Sequence, residues 1–260
     1  MKLDEVIISK AIIDSFSEKF KKNLKAEVVI AGAGPAGLIA SYYLAKKKIK
    51  VVLFERTLSV GGGMWGGGMM FNEIVVQKEA KHILDELGIK TRLYQKGYYL
   101  ANSVEAVSTL TSKACQSGVE IFNLITIEDI MIKEEKVVGV VINWSAVDIA
   151  GLHVDPLAVR ARFVVDATGH QCELARTIER KSGASLNTET GKVIGERPMW
   201  AEVGEADILK NTKEVFSNFY VAGMAANAVY GGPRMGPVFG GMLLSGQRVA
   251  RILIGRLANK

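Results

Sequence analysis

Cysteine is scarce in this sequence, which excludes a fold stabilised by disulfide bonds. Of 260 residues, only Cys115 and Cys172 are cysteines, and they lack both the number of a disulfide framework and the C-x-x-C spacing of a redox or metal site. We therefore predict a protein of the reducing cytoplasm. We expect Cys115 to be buried on a helix and Cys172 to be structural; the alternative of a reactive Cys172 follows from its closeness to His170.

Long apolar runs and long basic runs are also missing. No apolar run reaches the roughly 18 residues of a transmembrane helix, and the N-terminal stretch, with Asp4 and Glu5, lacks the pattern of a signal peptide. The net charge is +6, but basic residues cluster only at residues 19–25 and 46–48, as on solvated helix faces. We therefore expect no membrane and no nucleic-acid partner, and the 48% of hydrophobic residues predicts a soluble globular protein with a sizeable core.

Glycine, in contrast, is concentrated in two segments. The first is Gly32-Ala33-Gly34-Pro35-Ala36-Gly37, which follows the apolar residues 28–30 and precedes a helical pattern. Strand, G-x-G-x-x-G and helix together form the fingerprint of a dinucleotide-binding unit. A second apolar segment, residues 50–54, ends at Glu55, about 20 residues after the glycines, where such a unit places its ribose-hydroxyl acceptor.

Each glycine of this motif has a predicted role. Gly32 permits the tight turn, Gly34 lets the backbone approach a pyrophosphate, and Gly37 lets helix and strand pack closely. The free N–H groups and the dipole of the helix then hold the phosphates. We predict that this segment binds a nucleotide that contains ADP; the alternative is a bare glycine turn.

The second glycine-rich segment spans residues 61–68 and contains Trp65. Its composition is compatible with a flexible linker, but linkers rarely carry large apolar side chains. We therefore favour a loop that covers a ligand, where the absence of Cβ atoms lets the backbone meet a cofactor.

The order of the remaining elements indicates an α/β fold with a Rossmann-like, FAD/NAD-binding architecture of the two-dinucleotide-binding flavoprotein type. We expect a single domain, residues 1–260, with an N-terminal helix, a central parallel sheet and an inserted antiparallel hairpin layer at about residues 129–160. The apolar stripe of the first helix, residues 6–24, is expected to pack on the core; another subunit is the alternative. Further predicted elements are helices at 79–87, 103–117 and 238–257, strands at 119–124, 161–167 and 219–224, and hairpin strands at 129–133 and 137–143.

Three polar residues outside the glycine motifs are candidates for chemistry. Asp155 and His170 are expected on the cofactor side of the sheet, where a carboxylate and an imidazole suit a labile Fe(II) site; a helix-capping Asp155 and a hydrogen-bonded loop His170 are the alternatives. Arg234 precedes a helix in a Gly/Pro-rich turn, which suits either a bidentate carboxylate clamp or a surface arginine. The sequence has three histidines, His82, His153 and His170. His82 is expected on a helix surface.

Taken together, these segments resemble the thiamine thiazole synthase family over nearly the whole chain. The matching pieces are Gly32–Gly37, Glu55-Arg56, the 61–68 loop, Val154-Asp155-Pro156, Thr168-Gly169-His170, Arg234-Met235-Gly236-Pro237 and Phe239-Gly240. The resemblance implies an enzyme that consumes NAD, releases nicotinamide, and condenses the ADP-ribose ketone with glycine and sulfur to an adenylated 5-(2-hydroxyethyl)-4-methylthiazole-2-carboxylate. It also implies a cytoplasmic homo-oligomer, an octamer with sites shared between subunits.

The resemblance further implies residue roles. Asp155 and His170 match the Fe(II) ligands, Arg234 matches the residue that holds the glycine carboxylate, and His153, Asp155 and His170 make up the catalytic set. The implied nucleotide-binding residues are Gly32, Gly34, Ala36, Gly37, Glu55, Arg56, Gly63, Ile127, His153, Val154, Asp155 and Met224.

His153 is where the sequence departs from part of the family. Members that sacrifice their own sulfur carry cysteine at this position, and an imidazole has no sulfur to give. The chain therefore resembles the archaeal branch that takes free sulfide and turns over repeatedly. Two alternatives stay open: an FAD-dependent oxidoreductase on the same fold, which predicts a yellow protein, and a nucleotide-binding protein without turnover.

Overall fold

The computed structural model describes residues 2–259, in which strands and helices alternate along most of the chain. The helices are α1 (Glu5–Lys22), α2 (Pro35–Lys46), α3 (Lys78–Leu87), α4 (Ser103–Gln116), α5 (Ser145–Ile149), α6 (Glu173–Ser182), α7 (Ala201–Asn211), α8 (Met224–Tyr230) and α9 (Gly240–Ala258). The strands are β1 (Lys25–Ala31), β2 (Val51–Glu55), β3 (Glu73–Gln77), β4 (Arg92–Gln95), β5 (Tyr98–Asn102), β6 (Glu120–Asn123), β7 (Ile125–Lys133), β8 (Lys136–Trp144), β9 (Leu157–Asp166), β10 (Glu214–Phe216) and β11 (Phe219–Val221).

The central sheet is mostly parallel, which confirms the predicted fold class. Its strand order is β10-β11-β9-β1-β2-β6, with parallel pairing from β11 through β6 and only β10 antiparallel at the edge. The hairpin of β7 and β8 joins the first residues of β9 in antiparallel register and contributes the predicted antiparallel layer. A separate antiparallel sheet has the order β3-β5-β4.

Two apolar clusters cover the two faces of the central sheet. One includes residues of α2, α4 and α9, and the other includes residues of the hairpin, α6 and α8. Residues 28–30 of β1 are fully buried because parallel strands are covered on both faces. Among the helices of residues 2–259, none combines the length and the hydropathy needed to cross a lipid bilayer.

The first helix is only partly covered, so the prediction that its stripe packs on the core is wrong for its first half. Phe16 and Phe20 pack edge-on against Phe122 of β6, but Ile8 is 45% and Ile12 is 64% exposed. The reason is length, since 18 residues of helix extend about 27 Å and the sheet edge supports only the last turns.

Three other sequence expectations need correction. Cys115 is exposed rather than buried, because α4 turns Ala106, Leu110 and Ala114 toward the core and places Cys115 on the outer side. The predicted last strand ends earlier, at Val221, and Met224 already belongs to α8. The closing helix begins at Gly240 rather than at residue 238.

Candidate functional site

A cavity of about 1320 Å³ lies at the carboxyl ends of β1, β2, β9 and β11. This is where open parallel sheets place their ligands, and the volume exceeds the roughly 300–1,000 Å³ of typical small-molecule sites. Ten of the predicted site residues line it: Gly32, Gly34, Ala36, Glu55, Arg56, Gly63, Ile127, His170, Met224 and Arg234.

The glycine turn and the predicted ribose acceptor are directly connected. Gly32 has a φ of +93°, and a Cβ there would press on the carbonyl group of Ala167 at the end of β9. The buried carboxylate of Glu55 accepts hydrogen bonds from the backbone N–H of Ala33 at 2.9 Å and from both the N–H and the hydroxyl of Thr57 at 2.8 Å. These bonds fix the carboxylate at the end of β2, beside the start of α2.

Gly34 and Gly37 differ in their surroundings. A Cβ on Gly34 would meet nothing within 4 Å, so its backbone faces open space in the cavity. A Cβ on Gly37 would overlap the carbonyl oxygen of Gly32, and Gly37 does not line the cavity. Gly37 thus has the packing role that the motif predicts.

The second glycine-rich segment is a fixed wall of the cavity rather than a linker. It forms a short 3₁₀ turn, Gly62–Gly66, in which Met64 is fully buried. The indole N–H of Trp65 donates to the carbonyl of Val60 at 2.6 Å, and the hydroxyl of Ser103 donates to the carbonyl of Trp65 at 2.8 Å. Gly63 and three further members of the segment, Gly62, Gly67 and Gly68, line the cavity.

His170 lies in a turn that is anchored to the buried end of β9. The carboxylate of Asp166 accepts from the N–H and the hydroxyl of Thr168 at 3.0 and 2.6 Å, and from the first N–H groups of α6, at Leu174 and Ala175, both at 3.0 Å. Burial raises the pKa of Asp166 above its ordinary value, and the four hydrogen bonds oppose this shift. The turn that follows, Gly169–Gln171, therefore presents His170 at the cavity from a fixed base.

The charged groups around His170 are paired. His170 Nδ1 contacts the carboxylate of Glu196, and Arg56 forms an ion pair with Glu173. Burial raises the pKa of Glu173, while Arg56 lowers it. Glu196 and Glu173 both line the cavity, and neither is among the predicted residues.

Cys172 has the structural environment that we expect. It is buried, and its N–H donates to the carbonyl of Gly169 at 3.0 Å. Burial, with a smaller effect from Asp166, raises the pKa of its thiol to about 12. The side chain therefore remains a neutral thiol at physiological pH and is not an activated nucleophile.

Arg234 is held at the cavity by hydrogen bonds of its backbone. Its N–H donates to the carbonyl of Arg197 at 3.1 Å, and its carbonyl accepts from the N–H of Trp200 at 2.9 Å. Its side chain is exposed at the cavity, which Arg197 also lines. Arg197 is the third arginine at the cavity, beside Arg56 and Arg234, and it is not among the predicted residues, although Glu196-Arg197 between Gly195 and Pro198 marks a constrained charged pair.

His153, Val154 and Asp155 lie outside this cavity. All three are exposed, and the carbonyl of Val154 accepts from the side chain of Asn143 at 2.9 Å. Asp155 precedes β9, whereas His170 follows it and lines the cavity. The shared position of Asp155 and His170 on the cofactor side of the sheet stays a prediction, because within one chain only His170 lines the cavity.

Within residues 2–259, no group of three or more His, Cys, Asp and Glu side chains is placed to hold a metal ion. His82 is exposed on α3, as expected, and its Nδ1 contacts the carbonyl of Glu79 at 2.9 Å.

Comparison with known proteins finds relatives that match nearly the whole chain. The model of the Thi4 family matches residues 9–239. The thiamine thiazole synthase of Methanothermobacter thermautotrophicus is 60% identical over 257 residues, which cover 99% of this chain and 100% of the relative. That of Pyrococcus furiosus is 50% identical over 255 residues, 98% of this chain and 99% of the relative.

A solved structure has the same fold. The crystal structure of Thermovibrio ammonificans THI4 superposes with a TM-score of 0.96 at 53% identity, and the match covers 99% of this chain and 100% of that chain. The matches extend over the glycine turn, the cavity and both ends of β9. The chain belongs to the Thi4 family.

Proposed function

We propose that this protein is a thiamine thiazole synthase that converts NAD, glycine and free sulfide into an adenylated thiazole carboxylate, with Fe(II) bound and nicotinamide released. The observation that carries the proposal is a single cavity that combines the Gly32–Gly37 turn, Glu55, His170 and Arg234. High identity to relatives named thiamine thiazole synthase supports the same reaction class.

The ADP half of NAD would bind at the start of α2. Gly34, Pro35 and Ala36 at the start of this helix line the cavity, and the helix N-terminus would hold the pyrophosphate there. Glu55 keeps its carboxylate beside the turn and would accept a ribose hydroxyl. Gly63 lies in the loop that would cover the nucleotide, and Ile127 and Met224 contribute apolar wall.

Glycine would bind through its carboxylate to Arg234. The guanidinium is a planar fork that matches a carboxylate bidentately. The backbone hydrogen bonds of Arg234 with Arg197 and Trp200 fix the position of the residue at the cavity.

The iron site needs two copies of the chain. His170 offers one imidazole nitrogen toward the cavity, and Asp155 at the other end of β9 offers an exposed carboxylate. The segment around Asp155 also exposes Ile149, Leu152 and Val154, which suits a surface that another subunit covers. We propose that Asp155 of one copy meets His170 of another in a closed homo-oligomer, an octamer by the family resemblance.

Fe(II) held by these two ligands would leave positions open, at which it can act as a Lewis acid and accept soft sulfide. His153 stands where self-sacrificing relatives have cysteine and cannot donate sulfur. We therefore propose free sulfide as the sulfur source and repeated turnover.

Mixing two inactive variants tests the shared site. Asp155→Ala and His170→Ala should each abolish thiazole formation while they retain NAD binding, because neither residue holds the ADP end. Oligomers reassembled from an equal mixture should regain about a quarter of wild-type activity, since one site of each mixed isologous pair has both native ligands. The assay is mass spectrometry of the product from NAD, glycine, Fe(II) and sulfide under anaerobic conditions.

The control is a mixture of Arg234→Ala with His170→Ala. If Arg234 and His170 act in the same copy's cavity, this mixture restores no complete site in any pairing and should stay inactive. Activity of either single ligand variant at the wild-type level would refute the iron assignment. A bound flavin in the purified protein would instead favour the oxidoreductase alternative.

A further inference from the structure

The contact between His170 and Glu196 has no role in the site described so far. It joins Nδ1 of the imidazole to Oε1 of the carboxylate, and both side chains line the cavity. A carboxylate can only accept a hydrogen bond, so Nδ1 must carry the proton in this contact. In the neutral ring, the other nitrogen, Nε2, then has the free lone pair.

We propose that Glu196 is a positioning residue that fixes His170 as the Nδ1–H tautomer and so keeps Nε2 available to a divalent metal ion. The inference rests on the iron site proposed above. Metal-binding histidines commonly donate their second ring N–H to a carboxylate, which sets the tautomer and the ring orientation and raises the basicity of the ligand. Glu196 makes this type of contact from outside the proposed ligand pair.

The backbone around Glu196 is well suited to hold a carboxylate in one place. Three N–H groups of its segment, at Ile194, Gly195 and Arg197, donate to the carbonyls of Val229, Ala228 and Gly232 at 3.0, 2.9 and 3.1 Å. The residues before Glu196 are therefore bonded to α8, and the residue after it is bonded to the turn that follows α8. The carboxylate therefore approaches His170 from a fixed segment rather than from a free loop.

His170 is held equally firmly from the other side. Its turn is tied to Asp166 through Thr168 and through the start of α6. The side chain of Glu196 is 22% exposed and that of His170 is 44% exposed, so the carboxylate lies on the more enclosed side of the pair. The imidazole, with Nδ1 in contact with Glu196, is part of the cavity lining.

A simple ion pair is the competing explanation for the contact, and glutamine separates the two. In Glu196→Gln, the amide oxygen can still accept the Nδ1 proton, but the negative charge is gone. A positioning role is therefore retained in Glu196→Gln and lost in Glu196→Ala, whereas an ion pair is lost in both variants.

The first experiment measures the tautomer without any metal. The protein, labelled with ¹⁵N at its three histidines, is studied by magic-angle-spinning NMR at about pH 8.5, where an ordinary imidazole is neutral. We expect His170 to be Nδ1–H in the wild type and in Glu196→Gln, and to become largely Nε2–H or mixed in Glu196→Ala. His82 is the internal control, because its Nδ1 contacts a backbone carbonyl that these changes do not touch.

The second experiment titrates the same proteins with Co(II) as a spectroscopic probe. We expect about 10- to 100-fold weaker binding in Glu196→Ala and near wild-type binding in Glu196→Gln. Glu202→Ala, at an exposed position of α7, is the matched control and should bind as the wild type does. Unchanged NAD affinity shows that a variant is folded, and Glu196→Met is the substitute if the alanine variant does not fold.

The outcomes keep the two proposals apart. An unchanged His170 tautomer in Glu196→Ala, or a glutamine variant that behaves like the alanine variant, would overturn the positioning role. A wild-type protein that binds no Co(II) would refute the iron site, and the tautomer measurement would still decide the role of Glu196.

Discussion

Replacing Glu205 with glutamine should stabilise this protein at neutral pH and change it much less in acid. Glu205 lies on α7, and its Oε2 accepts from the side-chain amide of Gln77 on β3. A Cβ at Gly241 would lie 2.7 Å from the same oxygen, so the carboxylate packs against the first turn of α9. Within the described residues, Oε1 of Glu205 and Oε1 of Gln77 are buried without a hydrogen-bond partner.

This environment favours the neutral acid. Burial raises the pKa of Glu205 from 4.5 to about 7, and repulsion from Glu79 adds to the shift, while the N–H of Gly241 and the Gln77 amide oppose it. Protonation of Glu205 also adds a hydrogen-bond donor to a site where Oε1 of Glu205 and Oε1 of Gln77 have no partner. The folded protein thus binds a proton, between about pH 4.5 and 7, that the unfolded chain has released, so ionisation of Glu205 lowers the free energy of unfolding as the pH rises through this range.

The size of the effect follows from the two pKa values. A tenfold change in proton affinity corresponds to about 1.4 kcal/mol, so Glu205 should cost the folded protein about 3 kcal/mol above pH 7. Glutamine is neutral at every pH and can donate where the ionised acid cannot. The stability advantage of Glu205→Gln over the wild type should therefore grow by about 2–3 kcal/mol between pH 5 and pH 8.

Urea unfolding followed by tryptophan fluorescence measures this difference. Both pH values are needed, and the protein concentration must be held constant because assembly contributes to apparent stability. Glu202→Gln is the matched control, since it removes the same charge from an exposed position on the same helix. Equal pH profiles for the two variants would refute the reasoning about burial.

Three further predictions concern the site. Arg234→Lys loses the bidentate fork, which typically costs about 1.5–3 kcal/mol, so the KM for glycine should rise about 10- to 100-fold while NAD affinity stays the same; an unchanged KM would indicate a surface arginine. Asp166→Ala leaves four hydrogen-bond donors without their acceptor and should lower the free energy of unfolding by at least about 3 kcal/mol, whereas Asp166→Asn should lower it less; equal unfolding midpoints would contradict this. Incubation with NAD, glycine and Fe(II) should give thiazole only after sulfide is added, at more than one equivalent per chain; a loss of roughly 34 Da from the intact protein, as when a cysteine thiolate becomes dehydroalanine, would show that a cysteine is sacrificed instead.

The parts of the fold that were predictable are those specified by local chemistry. The turn between β7 and β8 contains Glu134 and Glu135, both with positive φ, between two apolar runs. Gly88 ends α3 in the left-handed conformation that favours glycine. Features of this kind need only a few neighbouring residues, so they are visible without any knowledge of tertiary contacts.

Features that depend on distant contacts were not predictable in the same way. The apolar spacing of α1 indicates which face of the helix is apolar but not whether anything covers Ile8 and Ile12. Glu196 reaches His170 from 26 positions away, and nothing near Glu196 in the sequence marks that partner. Helix α6 is a different case, since Leu174, Ala175 and Ile178 have helical spacing that the sequence expectations leave unused.

Strand direction explains why four of the predicted residues meet at the cavity. Gly32, Glu55, His170 and Met224 each lie at or after the carboxyl end of a parallel strand, and all four line the cavity. Asp155 comes before β9 and is not among the residues that line the cavity. The family resemblance pairs Asp155 with His170, but only His170 lines the cavity of its own chain, and this difference is the reason why we propose a site that forms between copies of this chain.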